Sequence, residues 1–233
     1  MAAPPQSGVV NGMGVARRAI IKMPLVHLCA LSLSLSRGAM AFARGQRLNW
    51  NEFVERLEVI ARTQHLPKWD EEQYVRLAAA ASRSLISLPP DYTRELHKGP
   101  YPGMLDAHKT VDVQITLLNF ESGQFLPHHN HPSMTGVMLC TNGAVCVDEY
   151  DEIPEATDVH LIQFRGRLQL NSGRTTSLTS HRANIHRVFA TERSEVVDIF
   201  TPPYSPEREQ QTHWYNVEPY GSRRDVFKTS PYS

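Results

Sequence analysis

The chain has 233 residues, 41% of them hydrophobic and 21% charged, with 24 basic and 24 acidic side chains and no formal net charge. These values fit one large domain, or one domain with extensions, and exclude a disordered chain, a coiled coil and a collagen-like repeat. The zero balance leaves no overall basic footprint for nucleic acid, and no apolar run reaches the roughly 18 residues that a membrane-spanning helix needs.

The charge is unevenly placed. Residues 1–51 hold six basic residues (Arg17, Arg18, Lys22, Arg37, Arg44, Arg47) and no acid, while the remainder holds 18 basic and 24 acidic. Within that segment Met23–Leu35 is apolar, and Ala39-Met40-Ala41 and Ala41-Phe42-Ala43 have the form of small-residue cleavage sites. Residues 1–47 are therefore expected to be an extension: a secretory signal, a transit peptide or an untargeted disordered leader. The cysteines are Cys29, Cys140 and Cys146, an odd count with no CxxC, which points to a reducing compartment. An intracellular, cytoplasmic protein is expected, with mitochondrial targeting as the alternative.

Two helices are predicted next. Trp50, Phe53, Leu57, Ile60 and Ala61 fall at steps of three and four, with Asn49 or Asn51 as cap. A second helix is predicted from about Asp70 to Leu85, opening on three acids that suit a helix N-terminus. Pro89-Pro90 stops it, and residues 89–108, with four prolines and two glycines, read as a wrapping loop.

From Val111 the period becomes that of strands. Val111–Phe120, Val137–Leu139, Gly143–Asp148, Val159–Phe164, Ser177–Ser180, Ile185–Ala190 and Val196–Thr201 are strand candidates, punctuated by turn residues such as Asn142-Gly143 and Asn171-Ser172-Gly173. Many short strands without long helices between them predict a closed antiparallel sandwich or barrel. The acidic stretch Asp148–Asp158 is expected to be a solvated loop. No phosphate-cradling glycine loop and no G-x-S-x-G is present.

The densest chemical signal is Gly123–His131, GQFLPHHNH. Alternate residues of a strand share a face, so His129 and His131 point together and His128 points away. Two imidazoles on one face make a metal-ligand pair suited to iron, zinc, copper or nickel. A third ligand has to come from elsewhere, with His160, His181, His186 and His213 as candidates. His186 lies on a predicted strand, His181 reads as a loop residue, and His213 as packed or exposed near the C-terminal strand.

The run G-x5-H-x-H, with Gly143 following 12 residues after His131, resembles the first cupin motif, without its usual glutamate. His129–Thr135 (HNHPSMT), Asn184-Ile185-His186, Val196–Phe200 (VVDIF) and Pro202–Ser205 (PPYS) resemble, in order and spacing, four runs of the cysteamine dioxygenase and plant cysteine oxidase family. Trp214-Tyr215 falls where that family often has two tyrosines. The resemblance covers about residues 48–220. Departures from the pattern are Asn130 for the usual Asp between the histidines, Leu139 for a Lys, Ser180–Ala183 for a glycine-rich turn, and Thr212 where some members carry a Cys that cross-links to Tyr.

The resemblance implies an all-β cupin core, a double-stranded β-helix or jelly-roll barrel with N-terminal helices. Residues 48–88 would form helices packed on the barrel, and residues 89–233 the catalytic domain. It implies Fe(II) held by His129, His131 and His186, with Asp198 and Tyr204 as catalytic side chains. It further implies that both atoms of O2 are added to a thiol, either cysteamine or an N-terminal cysteine, giving a sulfinic acid and a role in oxygen sensing; a monomer is expected. The alternatives are another metal-dependent cupin enzyme and a non-catalytic metal- or ligand-binding cupin.

Overall fold

The computed structural model describes residues 47–94, 97–154 and 159–232. The expected leader lies outside them, apart from Arg47. Among the described residues no helix is long and apolar enough to cross a membrane.

Helix α1 (Trp50–Ala61) starts at Asn49, whose side chain accepts from the Glu52 amide at 3.1 Å while the Glu52 carboxylate accepts from the Asn49 amide at 2.9 Å. This reciprocal pair satisfies two amide donors that the first helical turn cannot pair internally. Helix α2 (Glu71–Ser84) is capped by Asp70, which accepts from the Gln73 amide at 2.8 Å. The apolar stripe of α1 (Phe53, Leu57, Ile60) and that of α2 (Tyr74, Val75, Ala78) share one core with Ile115, Leu117, Val137, Leu139, Val197 and Ile199 of the barrel. Leu139, where the family pattern has a Lys, is thus a buried apolar contact for the helices.

Eleven strands follow: β1 (Gly103–Lys109), β2 (Gln114–Phe120), β3 (Phe125–Asn130), β4 (Thr135–Asn142), β5 (Ala144–Glu152), β6 (Leu161–Asn171), β7 (Thr175–Leu178), β8 (Ile185–Ala190), β9 (Ser194–Thr201), β10 (Trp214–Pro219) and β11 (Val226–Pro231). One sheet has the order β1-β2-β9-β4-β7; the other closes on itself as β10-β11-β6-β5-β8-β3. Within them, β2-β9-β4-β7 faces β3-β8-β5-β6, the antiparallel order of a jelly roll, and the expected cupin barrel is present. A second core of Leu118, Phe120, Leu126, Val145, Val147 and Val188 fills it.

Gly143, the glycine of the first cupin motif, has φ +75°, and a Cβ there would collide with the Arg193 carbonyl and the Ser194 side chain. The β4–β5 turn therefore requires glycine twice over, for its left-handed backbone and for the close approach of the 193–194 segment.

Two expectations need correction, and two elements are new. The wrapping loop over 89–108 ends in β1, an edge strand whose mostly exposed residues show no alternation for a sequence to reveal. The acidic loop at 148–158 is strand as far as Glu152, because Asp148 is buried under a bidentate pair with Arg167 at 2.5 and 2.9 Å. The short helix α3 (Pro206–Gln211) and the hairpin β10–β11 were also not foreseen. Helix α3 depends on the Ser205 cap with Pro206 in its first turn, and the hairpin on pairing with β3 and β6.

Candidate metal centre

Strand pairing assembles the site. His129 on β3 lies directly across from His186 on β8, and on its other side from Trp214 on β10. His131 follows β3 by one residue and turns its ring to the same place. All three histidines are buried, and their ligating atoms lie within 4.8 Å of one another. The ring centroids are 4.7–4.9 Å apart.

The donor set fits a metal. The Nδ1–H of His129 donates to the Pro127 carbonyl at 2.7 Å, and Nδ1 of His131 pairs with the Tyr204 hydroxyl at 2.6 Å. Each bond engages the outer nitrogen and turns Nε2 inward. Nε2 of His131 stands 3.2 Å from Nε2 of His186, too close for two bare lone pairs unless a proton or a cation lies between them. Burial pulls the His129 imidazole down to about 4, and burial together with the neighbouring imidazoles pulls His131 and His186 well below the ordinary value. The resulting neutral imidazoles are the form that ligates.

Two aromatic rings press on this cluster. Trp214 stacks on His129 at 4.5 Å and 25°, and Phe200 stacks on His131 at 4.5 Å and 22°. Gly136 makes room for Phe200, since a Cβ there would come within 2.9 Å of its ring.

Asn184 joins the two ligand segments. Its side-chain oxygen accepts from the His131 amide at 3.0 Å, and its amide nitrogen donates to the carbonyls of His131, Thr179 and Met134 at 2.9, 3.0 and 3.4 Å. The preceding Ala183 has φ +52°, a left-handed conformation held by its amide donating to Asp151 Oδ1 at 2.6 Å. That bond does the work of the absent glycine turn. At Asn130 the departure is equally mild: only its side-chain oxygen is used, accepting from the His213 amide at 2.6 Å, which Asp would also do.

A cavity of about 540 Å³ opens onto His129 and His131. Its wall includes Asp198, Tyr204, Phe200, Thr212 and Trp214, with Asp106 and Glu209 as further acids and, among the described residues, no Lys or Arg. Asp198 is buried, and burial raises its carboxyl to about 7. Asp198 makes no hydrogen bond to any of the three imidazoles.

The other histidines stand apart. His128 packs edge-on against Tyr150 on the opposite side of β3; His160 pairs with Thr229 and Glu152; His181 and His213 are exposed. Sequence reasoning missed Gln114, whose Oε1 accepts from the Tyr204 amide at 3.1 Å and whose Nε2 donates to Asp106 Oδ1 at 2.9 Å. Its signal was present: Gln114 and Thr116 occupy alternate, buried positions among the apolar residues Ile115, Leu117 and Leu118.

The family model PCO_ADO matches residues 81–231, more than half of the chain. The chain belongs to this family. It is 28% identical over 155 residues to the 2-aminoethanethiol dioxygenase of Mus musculus, covering 56% of this chain and 59% of that protein. It is 27% identical over 164 residues to that of Homo sapiens, covering 60% and 58%. The chain thus spans about three fifths of the length of the curated relatives it matches. Among solved structures, KdgF from Halomonas sp. aligns with a TM-score of 0.37 at 20% identity, over 47% of this chain and 86% of that one. A rmlc-like cupin from Shewanella frigidimarina aligns with a TM-score of 0.39 at 14% identity, over 51% and 91%. The fold is read from the strand order and not from these two likenesses.

Proposed function

We propose that this protein is an Fe(II)-dependent thiol dioxygenase that converts a thiol and O2 to a sulfinic acid. The observation that carries the proposal is a donor set of three buried, neutral imidazoles, with no carboxylate among them, beside a largely apolar cavity whose charged lining residues are the acids Asp106, Asp198 and Glu209. Membership of the PCO_ADO family and the similarity to two proteins named 2-aminoethanethiol dioxygenase support it.

His129, His131 and His186 would hold the iron. Held by three neutral ligands, iron would keep its full charge and would supply the affinity for a thiolate and the redox chemistry that a reaction with O2 needs. The reaction balances without a co-reactant, since both atoms of O2 join the sulfur and R–SH becomes R–SO2H.

The chain's own residues choose and orient the thiol. Asp198 faces the cavity from a buried position and is placed to pair with the ammonium group of an aminothiol. A carboxylate-bearing thiol such as free cysteine finds no basic partner in the wall and meets Asp106, Asp198 and Glu209 instead. Tyr204 is assigned a positioning role, because its hydroxyl is committed to Nδ1 of His131 rather than turned to the substrate. Phe200 and Trp214 shield the imidazoles and keep their planes fixed.

Residues 48–88 act as the barrel's supporting helices and 89–233 as the catalytic unit. Two free buried thiols, Cys140 and Cys146, suit a cytoplasmic setting.

The test is oxygen uptake by protein loaded anaerobically with Fe(II), given cysteamine, free cysteine or a Cys-initiated peptide. Uptake with the aminothiols and little with free cysteine is expected. Protein that holds stoichiometric iron and consumes no oxygen with any of the three would overturn the proposal in favour of a different cupin chemistry or a binding role.

A further inference from the structure

The cavity is much larger than a small aminothiol requires. Pockets of about 300–1,000 Å³ accommodate drug-sized ligands, and this one, at about 540 Å³, falls in that range. Cysteamine, with four heavy atoms, would leave most of it empty.

The outer wall explains where the remaining space leads. Met104, Leu105 and Asp106 of β1 are consecutive, yet all three line the cavity. Successive strand residues face opposite sides, so a cavity lying on one face of β1 would be lined by alternate residues only. Met104 and Asp106 are in register with Leu118 and Thr116, which also line the cavity. Leu105 is in register with Leu117, which belongs to the core on the helix side. Leu105 therefore reaches the cavity because the cavity runs along the strand's edge.

That edge is open. β1 is the terminal strand of its sheet, and among the described residues it pairs only with β2. Met104 and Leu105 are 58% and 39% exposed, and Trp214, on the cavity wall beside His129, is 40% exposed. Asp106 is fixed beside them, its Oδ1 accepting from Gln114 at 2.9 Å and from Thr116 at 2.8 Å. An exposed strand edge is a template for one more strand, and an extended peptide fits it through main-chain hydrogen bonds.

We propose that the edge of β1 over Met104–Asp106 is the docking track for a polypeptide substrate, which adds as an extended strand and delivers its N-terminal thiol to the three histidines. The acidic wall favours an incoming chain that is neutral or basic next to its reacting end. This deepens the thiol-dioxygenase reading and rests on it. The continuity of the open edge with the cavity that reaches His129 and His131 selects a substrate chain over other occupants.

The test uses the full-length protein, loaded with Fe(II), and a series of Cys-initiated substrates: cysteamine, a dipeptide, a tetrapeptide and an octapeptide. kcat/KM is expected to rise along the series. N-methylation of single backbone amides in the octapeptide should lower it about tenfold at alternate positions and leave the positions between nearly unchanged, as loss of one main-chain hydrogen bond predicts. Equal kcat/KM for dipeptide and octapeptide, or indifference to every N-methyl group, would overturn the docking track while leaving the dioxygenase reading intact.

Failure of that reading shows differently, as no oxidation of any thiol by iron-loaded protein. Anaerobic peptide binding, followed by Trp214 fluorescence, then decides the track alone: an alternating N-methyl penalty on Kd supports it, and its absence overturns it. A stable dimer whose association is unaffected by saturating octapeptide would assign the edge to a second copy and also overturn the proposal.

Discussion

Trp214 lies directly across the β10–β3 pair from His129 and stacks on its imidazole with ring centroids 4.5 Å apart and planes 25° from parallel. The indole fixes the plane of a candidate ligand while forming part of the cavity wall. Stacked aromatic pairs contribute roughly 0.5–1.5 kcal/mol beyond area burial. Trp214→Ala is expected to weaken metal binding about threefold to tenfold, and Trp214→Phe to restore most of it. Metal titration of both variants checks this, and equal affinity in Trp214→Ala and the unaltered protein would deny the indole any positioning role.

Tyr204 and His131 form the second such relationship. Partners that hold the outer nitrogen of a ligand histidine typically contribute about 10–100-fold to metal affinity. Tyr204→Phe removes the hydroxyl and keeps the ring that packs on Phe200 at 5.4 Å. A loss of metal affinity within that range is expected, with little change in thermal stability of the metal-free protein. A variant with normal affinity but a large fall in kcat would instead place the hydroxyl on the substrate.

Asn184 tests whether the two ligand segments are held as a unit. Asn184→Asp turns an amide that donates to three carbonyls into an oxygen that faces them. Leaving such groups unpaired costs about 1–3 kcal/mol, so a stability loss near the upper end of that range and reduced metal content are expected. Urea unfolding and metal analysis on the same preparation measure both.

Glu71 gives the pH dependence of helix docking. Its carboxylate accepts from the Ser180 amide at 2.7 Å, the Ser180 hydroxyl at 2.6 Å and the Thr135 hydroxyl at 2.7 Å, tying α2 to the barrel beside the ligand loops. Burial pushes its pKa up, but the Ser180 and Thr135 hydrogen bonds outweigh this and hold it below the ordinary value. Glu71 therefore contributes stability that is complete above its unfolded-state pKa and is lost as pH falls through the folded one. Because the side chain is partly solvated, the contribution is about 1–2 kcal/mol. Glu71→Gln should unfold at lower urea concentration at neutral pH, and the difference from the unaltered protein should shrink as the pH approaches 4.

Much of this was legible in the sequence, and unevenly. The helix stripes of α1 and α2 follow from spacing and composition because local chemistry determines them, whereas the choice of Asn49 over Asn51 as cap, and Asp70 as cap rather than first helical residue, come from the structure. The histidine pair on one face follows from strand alternation. His186 could be picked from four candidates only through the N-I-H run, since the β3–β8 register that sets it opposite His129 is a long-range property. β1 and β10–β11 escaped for the same reason: they are strands because of what they pair with, and their side chains do not alternate. The strand candidate ending at Asp148 stops short because the residues after it read as an acidic loop, and the arginine brought across from β6 makes the burial of Asp148 tolerable.

The most direct test of the central claim is mass analysis of a Cys-initiated peptide after turnover under isotopically labelled dioxygen, using Fe(II)-loaded protein and its His186→Ala and His128→Ala variants. The account predicts two labelled oxygen atoms on the peptide's sulfur with the unaltered protein and with His128→Ala, and none with His186→Ala. Unlabelled or singly labelled product, or equal losses in the two variants, would contradict it.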